Sequence, residues 1–143
     1  MSEQTPSLAA EIETVKQIYA AINRNDIPAA IRFFDPQMEW IEPSHYQGGG
    51  GTYRGHADVR AKISNGRNTW AEGSCNLEGF TVAGDKIVVF LHAHVRRRDR
   101  KEWIDGRFAD VWTFRNGKAI QGRSFGERQE ALEWAGVKAS DAT

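Results

Sequence analysis

Apolar side chains in the first part of the chain recur with the period of a helix. Leu8, Ile12, Val15, Tyr19 and Ile22 follow one another at steps of four, three, four and three, which places them on one helical face. Ser7 is the expected N-cap, and the helix is expected to stop near Asn23–Asp26. Asp26 is suited to cap a second, shorter helix, with Pro28 in its first turn and Ala30, Ile31 and Phe34 turned inward. Asp35-Pro36 is its expected end. The pattern then changes to alternation. Met38-Glu39-Trp40-Ile41-Glu42 reads as a strand stopped by Pro43. Residues 44–55 read as a loop containing the glycine run Gly48 to Gly51, and His56 to Ser64 as a third helix burying Val59 and Ile63.

Beyond a loop containing Trp70, the pattern predicts strands joined by tight turns. Leu77 to Val82, Lys86 to Arg96, Trp103 to Arg115 and Lys118 to Phe125 are the expected strands. Ala83-Gly84-Asp85 separates the first pair and Asn116-Gly117 the last, the second being a strong hairpin signal because both residues tolerate positive φ. Glu127 to Ala135 reads as a closing helix with Gly136 at its C-terminal cap. Successive hairpins predict an antiparallel sheet, and the preceding helices must cover one of its faces. The expected class is therefore α+β: a cone with a strongly curved antiparallel sheet wrapped around three N-terminal helices. The expected order is α-α-β-α-β-β-β-β plus a short C-terminal helix. The mouth of such a cone is a natural small-molecule pocket.

Composition narrows the function classes. With 143 residues the chain is the size of one domain, and residues 1–6 and 138–143 are expected to be flexible tails. Nineteen basic residues balance nineteen acidic ones, so no global field favours nucleic acid or an anionic membrane. Cys75 is the only cysteine, which excludes an intrachain disulfide, suits a reducing compartment and is read as packing. The polar N-terminus is not expected to be a signal peptide, and the longest apolar run, Ile87 to Leu91, is far too short to span a bilayer. A cytoplasmic location is expected. The basic run Arg96, Arg97, Arg98, Arg100 and Lys101 around Asp99 is expected to be a solvated hairpin end.

Three polar residues fall where apolar ones belong. Tyr19 lies on the buried stripe of the first helix. Glu42 shares a strand face with Met38 and Trp40. Asp110 shares one with Phe108, Trp112 and Phe114. A carboxyl among aromatics is costly to ionise, so the pKa of Asp110 is expected to rise. A carboxylate can take a proton from carbon beside a carbonyl, while a phenol and a neutral acid donate to the resulting oxyanion. His92 and His94 share a face of the long strand and enter the same pocket if Val88 and Phe90 do. Otherwise they belong to a rim or dimer face. A metal site there lacks a clear third ligand.

The chain resembles the nuclear transport factor 2-like superfamily, in its SnoaL-like and ketosteroid-isomerase-like branch, over about Leu8 to Gly136. The stretches that carry the likeness are Tyr19-Ala-Ala-Ile-Asn-Arg-Asn-Asp26, Phe33-Phe34-Asp35 and Glu42-Pro43, followed later by Gly55. In the second half they are Asp110-Val-Trp-Thr-Phe114, Gly117-Lys118 and Phe125-Gly126-Glu127. The resemblance implies Tyr19, Glu42 and Asp110 as catalytic residues: Glu42 in the place of an aspartate base, and Asp110 in that of a protonated oxyanion donor. That pairing of roles is the one known for ketosteroid isomerase. The glutamate has an extra methylene that displaces its carboxylate, and the last strand, Lys118 to Phe125, lacks the acid that SnoaL-type cyclases and limonene epoxide hydrolases use.

Trp40, His45, Phe90, His92, His94, Phe108 and Trp112 are the expected pocket lining, with Tyr46 at the rim. The expected activity is a cofactor-independent, metal-independent isomerase or lyase moving a proton next to the carbonyl of a small hydrophobic molecule. The likeness also implies a homodimer. The alternatives are a dehydratase using His92 or His94, by likeness to scytalone dehydratase, a non-catalytic protein binding a small apolar ligand, and an interaction domain with a filled pocket. Neither nucleic acid nor a membrane is an expected partner.

Overall fold

The computed structural model describes residues 8–43 and 50–137. Helix α1 (Ala9–Asn23) turns Val15, Ile18, Tyr19 and Ala21 into the core. The expected cap Ser7 lies outside the described residues, as do the proposed tails, His45 and Tyr46. Helix α2 (Ile27–Ile31) starts as its sequence dictates: the Asp26 side chain accepts from the Ala29 N–H at 3.3 Å, and Pro28 occupies the first turn.

Strand β1 (Phe34–Glu42) begins earlier than its alternation suggested and runs through Asp35-Pro36. Pro36 sits in a register shift between the pairs Phe34↔Ala119 and Glu39↔Gln121, where no regular ladder bond is required of it. Part of the predicted glycine loop is a strand, β2 (Gly51–Arg54), which pairs antiparallel with β1 from Glu39↔Arg54 to Glu42↔Gly51. Helix α3 (Gly55–Arg67) is a turn longer than expected and buries Val59 fully.

Strand β3 (Trp70–Ala83) is more than twice its predicted length. Its first half, Trp70-Ala-Glu-Gly-Ser-Cys-Asn76, has no clean alternation, and shifts of register after Trp70 and Leu77 break the period. Gly73, at φ 111°, lies so close to the neighbouring strand that an added Cβ would meet the His94 carbonyl oxygen at 2.1 Å. Strands β4 (Lys86–Arg97), β5 (Trp103–Arg115) and β6 (Lys118–Phe125) match their patterns to within a residue. Asn116 and Gly117 take φ 54° and 79° in the last hairpin, and helix α4 (Arg128–Ala135) ends at Gly136 with φ 84°.

The class is α+β; the described residues form four helices and one curved, open six-stranded sheet in the order β2-β1-β6-β5-β4-β3. The sheet is mixed, not wholly antiparallel. After the hairpin series the chain returns with β6 beside β1 in parallel, while every other neighbour pair is antiparallel. Two apolar layers result. Ile87, Val89, Leu91, Trp112 and Phe114 face α1, α2 and α3, whereas Val88, Ala109 and Val111 pack under Ala131 and Leu132 of α4. Among the described residues, no helix is long and apolar enough to cross a membrane.

The parallel seam depends on one missing side chain. Gly122 of β6 pairs with Trp40 of β1 and Trp112 of β5, and a Cβ there would lie 2.5 Å from Trp40 Cε3 and Cζ3. Its absence lets the Trp40 ring lie across β6 and reach Trp112, with ring centroids 5.5 Å apart. Gly122→Ala is expected to destabilise the protein by about 1–3 kcal/mol through overpacking. Gly106→Ala, where nothing lies within 4 Å of the added carbon, is expected to stay within about 0.5 kcal/mol of wild type. Urea unfolding midpoints for the two variants measure the contrast.

Candidate functional site

The inner face of β5 follows strict alternation. Phe108, Trp112 and Phe114 join the inner core, so Asp110, at the same parity, points inward as its sequence predicts and is only 3% exposed. Opposite it, α1 brings in Tyr19. The Tyr19 hydroxyl donates to Asp110 Oδ2 and accepts from Trp112 Nε1 at 2.9 Å. The Tyr19 and Trp112 rings meet edge to face, at 6.0 Å and 90°. The other carboxyl oxygen, Asp110 Oδ1, is buried without a hydrogen-bond partner.

Burial pushes the Asp110 carboxyl up to about 6. The Tyr19 hydroxyl and Ser124, its cross-strand neighbour, oppose that rise, and the nearby Glu42 charge adds to it. Burial, reinforced by the charge of Asp110, raises the Tyr19 phenol well above its ordinary value. The Cys75 thiol is pushed up to about 12, first by burial and then by Asp110, so it is not a nucleophile near neutral pH.

Glu42 reaches the same region from the end of β1. Its Oε2 accepts from Trp40 Nε1 at 2.9 Å, and its Oε1 is paired with Lys62 Nζ at 3.0 Å. Lys62 belongs to a stripe on α3 (Lys62, Ile63, Gly66 and Arg67) that closes one side of the site. Arg67 donates from Nε to the Ile22 carbonyl at 2.8 Å and from Nη2 to that of Asn23 at 2.9 Å, and it stacks over Trp70 at 4.7 Å. It thus supplies a donor to the Asn23 carbonyl and a second one to that of Ile22, which also accepts from the Asn25 N–H at 2.9 Å. Asn23 in turn grips the backbone of Cys75 in both directions at 2.9 Å.

These groups enclose a cavity of about 330 Å³, within the range of small-ligand sites. Six of the expected residues line it: Tyr19, Trp40, Glu42, Phe108, Asp110 and Trp112. Three do not. Phe90 lies with Val88 in the outer apolar layer, and His92 and His94, two and four residues on in β4, share that outer face. There His92 bonds to Asp105, and His94 stacks on Trp103 at 4.6 Å and pairs with Asp105 at 3.5 Å. The error was one of parity: Ile87, Val89 and Leu91 are the inward residues of β4. His45 lies outside the described residues. Among the described residues no group of three or more His, Cys, Asp or Glu is arranged to hold a metal ion.

Sequence reasoning missed Lys62, Arg67, Trp70 and Ser124 as lining residues. The α3 stripe had a signal, since Val59, Ile63 and Gly66 recur at helical spacing, but ending that helix at Ser64 cut it off. The outer face carries a second, larger depression of about 790 Å³, bordered by Glu39, Arg54, Lys86, Arg115 and Trp134. Its Glu39 and Arg54 neutralise each other at 2.6 Å, and none of the inward-facing polar trio reaches it.

Residues 15–121 match the family model described as a SnoaL-like domain. The chain belongs to the SnoaL-like family. Its fold is that of the nuclear transport factor 2-like superfamily, as solved structures also indicate. The SnoaL-like chain is similar to an NTF2-like protein of unknown function from Burkholderia pseudomallei K96243, with 28% identity and a TM-score of 0.73, over 90% of this chain and 99% of that one. It is similar to TerC, co-crystallised with polyporic acid, with 25% identity and a TM-score of 0.72, over 89% and 98% of the two chains. A hypothetical protein with a ketosteroid isomerase-like fold from Catenulispora acidiphila DSM 44928 shares 13% identity and a TM-score of 0.71, over 90% and 95%. No curated protein matches the chain by sequence.

The buried carboxyl of this SnoaL-like chain has a consequence for stability. Its folded pKa, about 6 against an ordinary 3.8, means that the folded state holds the Asp110 proton more tightly than the unfolded state does. The group therefore costs stability as pH rises from about 4 to about 6, and the full cost, about 3 kcal/mol, persists above that. Asp110→Asn removes this dependence. The stability of the variant relative to wild type is expected to improve by about 3 kcal/mol between about pH 4 and about pH 7, measured by urea unfolding at each pH.

Proposed function

We propose that this protein binds a small, largely hydrophobic carbonyl compound in the inner cavity and moves a proton on the carbon next to the carbonyl. The observation that carries this reading is the convergence of Tyr19, Glu42 and Asp110 on one cavity of about 330 Å³ with walls of Trp40, Phe108 and Trp112. Carboxyls lining an apolar hollow are costly, and acid–base chemistry is one reason for placing two there with a phenol. TerC, a relative at 25% identity, was co-crystallised with polyporic acid, which supports a small organic molecule as occupant here.

A second reading is a protein that holds such a molecule without turning it over. It draws on Glu42, whose two oxygens are already engaged by Trp40 and Lys62. The dehydratase reading loses its histidines, which lie on the outer face.

The two remaining readings separate in deuterium exchange. With 3-cyclohexen-1-one as probe, the wild type is expected to catalyse exchange at the α-carbon and conversion to the conjugated enone, both followed by NMR. The double variant Glu42→Gln/Asp110→Asn is expected to be slower by about 100-fold or more. Wild-type exchange no faster than buffer, with the probe bound, leaves the binding-only reading.

The outer face is the place for a second copy. It exposes Trp103 at 44% beside His94, a large apolar side chain where that face is otherwise lined by paired charges. Sedimentation velocity is expected to give twice the 16.1 kDa chain mass, and Trp103→Glu to shift it towards the monomer.

A further inference from the structure

The likeness to ketosteroid isomerase makes Glu42 the base and Asp110 a hydrogen-bond donor. The atoms point the other way. Resting on the reading that the inner cavity holds a small molecule with a mobile proton, we propose that Asp110 Oδ1, not Glu42, is the proton acceptor. The ligand is then a molecule that presents a weakly acidic O–H or C–H hydrogen to the buried end of the cavity.

The four carboxyl oxygens of the site differ in their partners. Glu42 Oε2 accepts from the Trp40 indole and Oε1 faces the Lys62 ammonium. Each has a partner, and protonating Glu42 forfeits its ion pair with Lys62. Asp110 Oδ2 accepts from Tyr19. Asp110 Oδ1 is buried and makes no hydrogen bond of ordinary length among the described residues, the Ser124 side chain lying only close enough to the carboxyl to lower its pKa, and the side chain of Asp110 forms part of the cavity wall. A buried acceptor without a donor costs about 1–3 kcal/mol. A ligand hydrogen brought to it removes that cost.

The direction of the hydrogen bonds agrees. Trp112 Nε1–H donates to the Tyr19 oxygen, and the Tyr19 hydroxyl donates to Asp110. The relay ends on Asp110 as an acceptor and supports its ionised form. Tyr19 holds its own proton firmly, because burial and the charge of Asp110 raise its pKa. It serves as a fixed donor that orients the carboxylate. At about 6, Asp110 is ionised near neutral pH yet basic enough to take a proton.

With a carbonyl ligand the step balances as follows. The α-carbon–hydrogen bond breaks and its proton goes to Asp110 Oδ1. The electron pair forms the enolate double bond, and the negative charge goes to the ligand oxygen. Lys62, in the cavity wall and paired through one contact with Glu42, has further N–H groups to meet that oxygen. Return of the proton from Asp110 to another carbon of the same system completes an isomerisation and restores the carboxylate.

The test uses 4-nitrophenol, a weaker acid than Asp110 whose neutral and anionic forms differ in colour. Near neutral pH the wild-type protein is expected to bind the neutral phenol, its hydrogen directed at Asp110. Glu42→Gln is expected to bind the same form. Asp110→Asn is expected to lose at least about tenfold in affinity for the neutral form, a factor of about 1.4 kcal/mol. Tyr19→Phe removes the donor that keeps Asp110 acidic, so part of the bound probe is expected to pass its proton to Asp110 and turn to phenolate. This variant keeps the test open if Asp110→Asn fails to fold. Wild-type preference for phenolate, reduced by Tyr19→Phe, overturns the assignment and restores Asp110 as a donor while leaving the small-molecule reading intact. Unaltered binding of the neutral phenol by Asp110→Asn also overturns the assignment. Absence of any 4-nitrophenol binding by titration calorimetry overturns the assignment together with the small-molecule reading on which it rests.

Discussion

The hydrogen bond from Tyr19 to Asp110 is the contact around which the rest of the interior is arranged. A carboxyl on the inner face of a central strand, among Phe108, Trp112 and Phe114, is a poor choice for stability alone. One oxygen is satisfied by a phenol from the first helix, and that phenol is held in turn by the Trp112 indole. The chain of donors ties α1 to β5 across the interior and fixes the distance between helix layer and sheet. The second carboxyl oxygen is left without a partner. A ligand of the kind proposed would supply the missing donor.

The surrounding elements keep that hollow open. Gly122 removes a side chain where three strands meet, so that Trp40 covers β6 and leans on Trp112 rather than filling the centre. Arg67 closes the end of α1 through two carbonyls, and Asn23 at that same end holds the backbone of β3 at Cys75. The Lys62–Glu42 pair sits where α3 passes the end of β1. Its worth as a stabilising contact is modest for a partly exposed pair. In the proposed proton transfer its effect is greater, because it engages a carboxylate that would otherwise compete with Asp110 for the proton.

The two faces of the sheet divide the chemistry. Inward residues are aromatic and aliphatic, with a few polar groups. Outward residues of β4 and β5 form a lattice of paired charges. There Glu78 takes Arg107 and Arg128, and Asp105 takes His92 and His94. Arg107 and Arg128 hold Glu78 below the usual carboxylate range, and His92 does the same for Asp105. Histidines in such a lattice have partners already and do not turn towards a cavity on the other side of the strand.

Local pattern in the sequence was enough for α1, α4 and the start of α2, the three C-terminal strands, the Asn116-Gly117 hairpin and the inward aim of Tyr19, Glu42 and Asp110. Helical and alternating periods decide which face a residue takes, and those elements carry the periods without interruption. It was not enough for β2, the first half of β3 or the length of α3, where glycines and register shifts break the period. Nor did it orient β4, whose run Ile87 to Leu91 is apolar at every position, so that alternation names two faces without saying which is inner. Only the tertiary structure decided that β6 returns parallel to β1, that α3 brings Lys62 to Glu42, and that one oxygen of Asp110 is left without a donor. Those facts depend on contacts between residues far apart in the chain, and no local period encodes them.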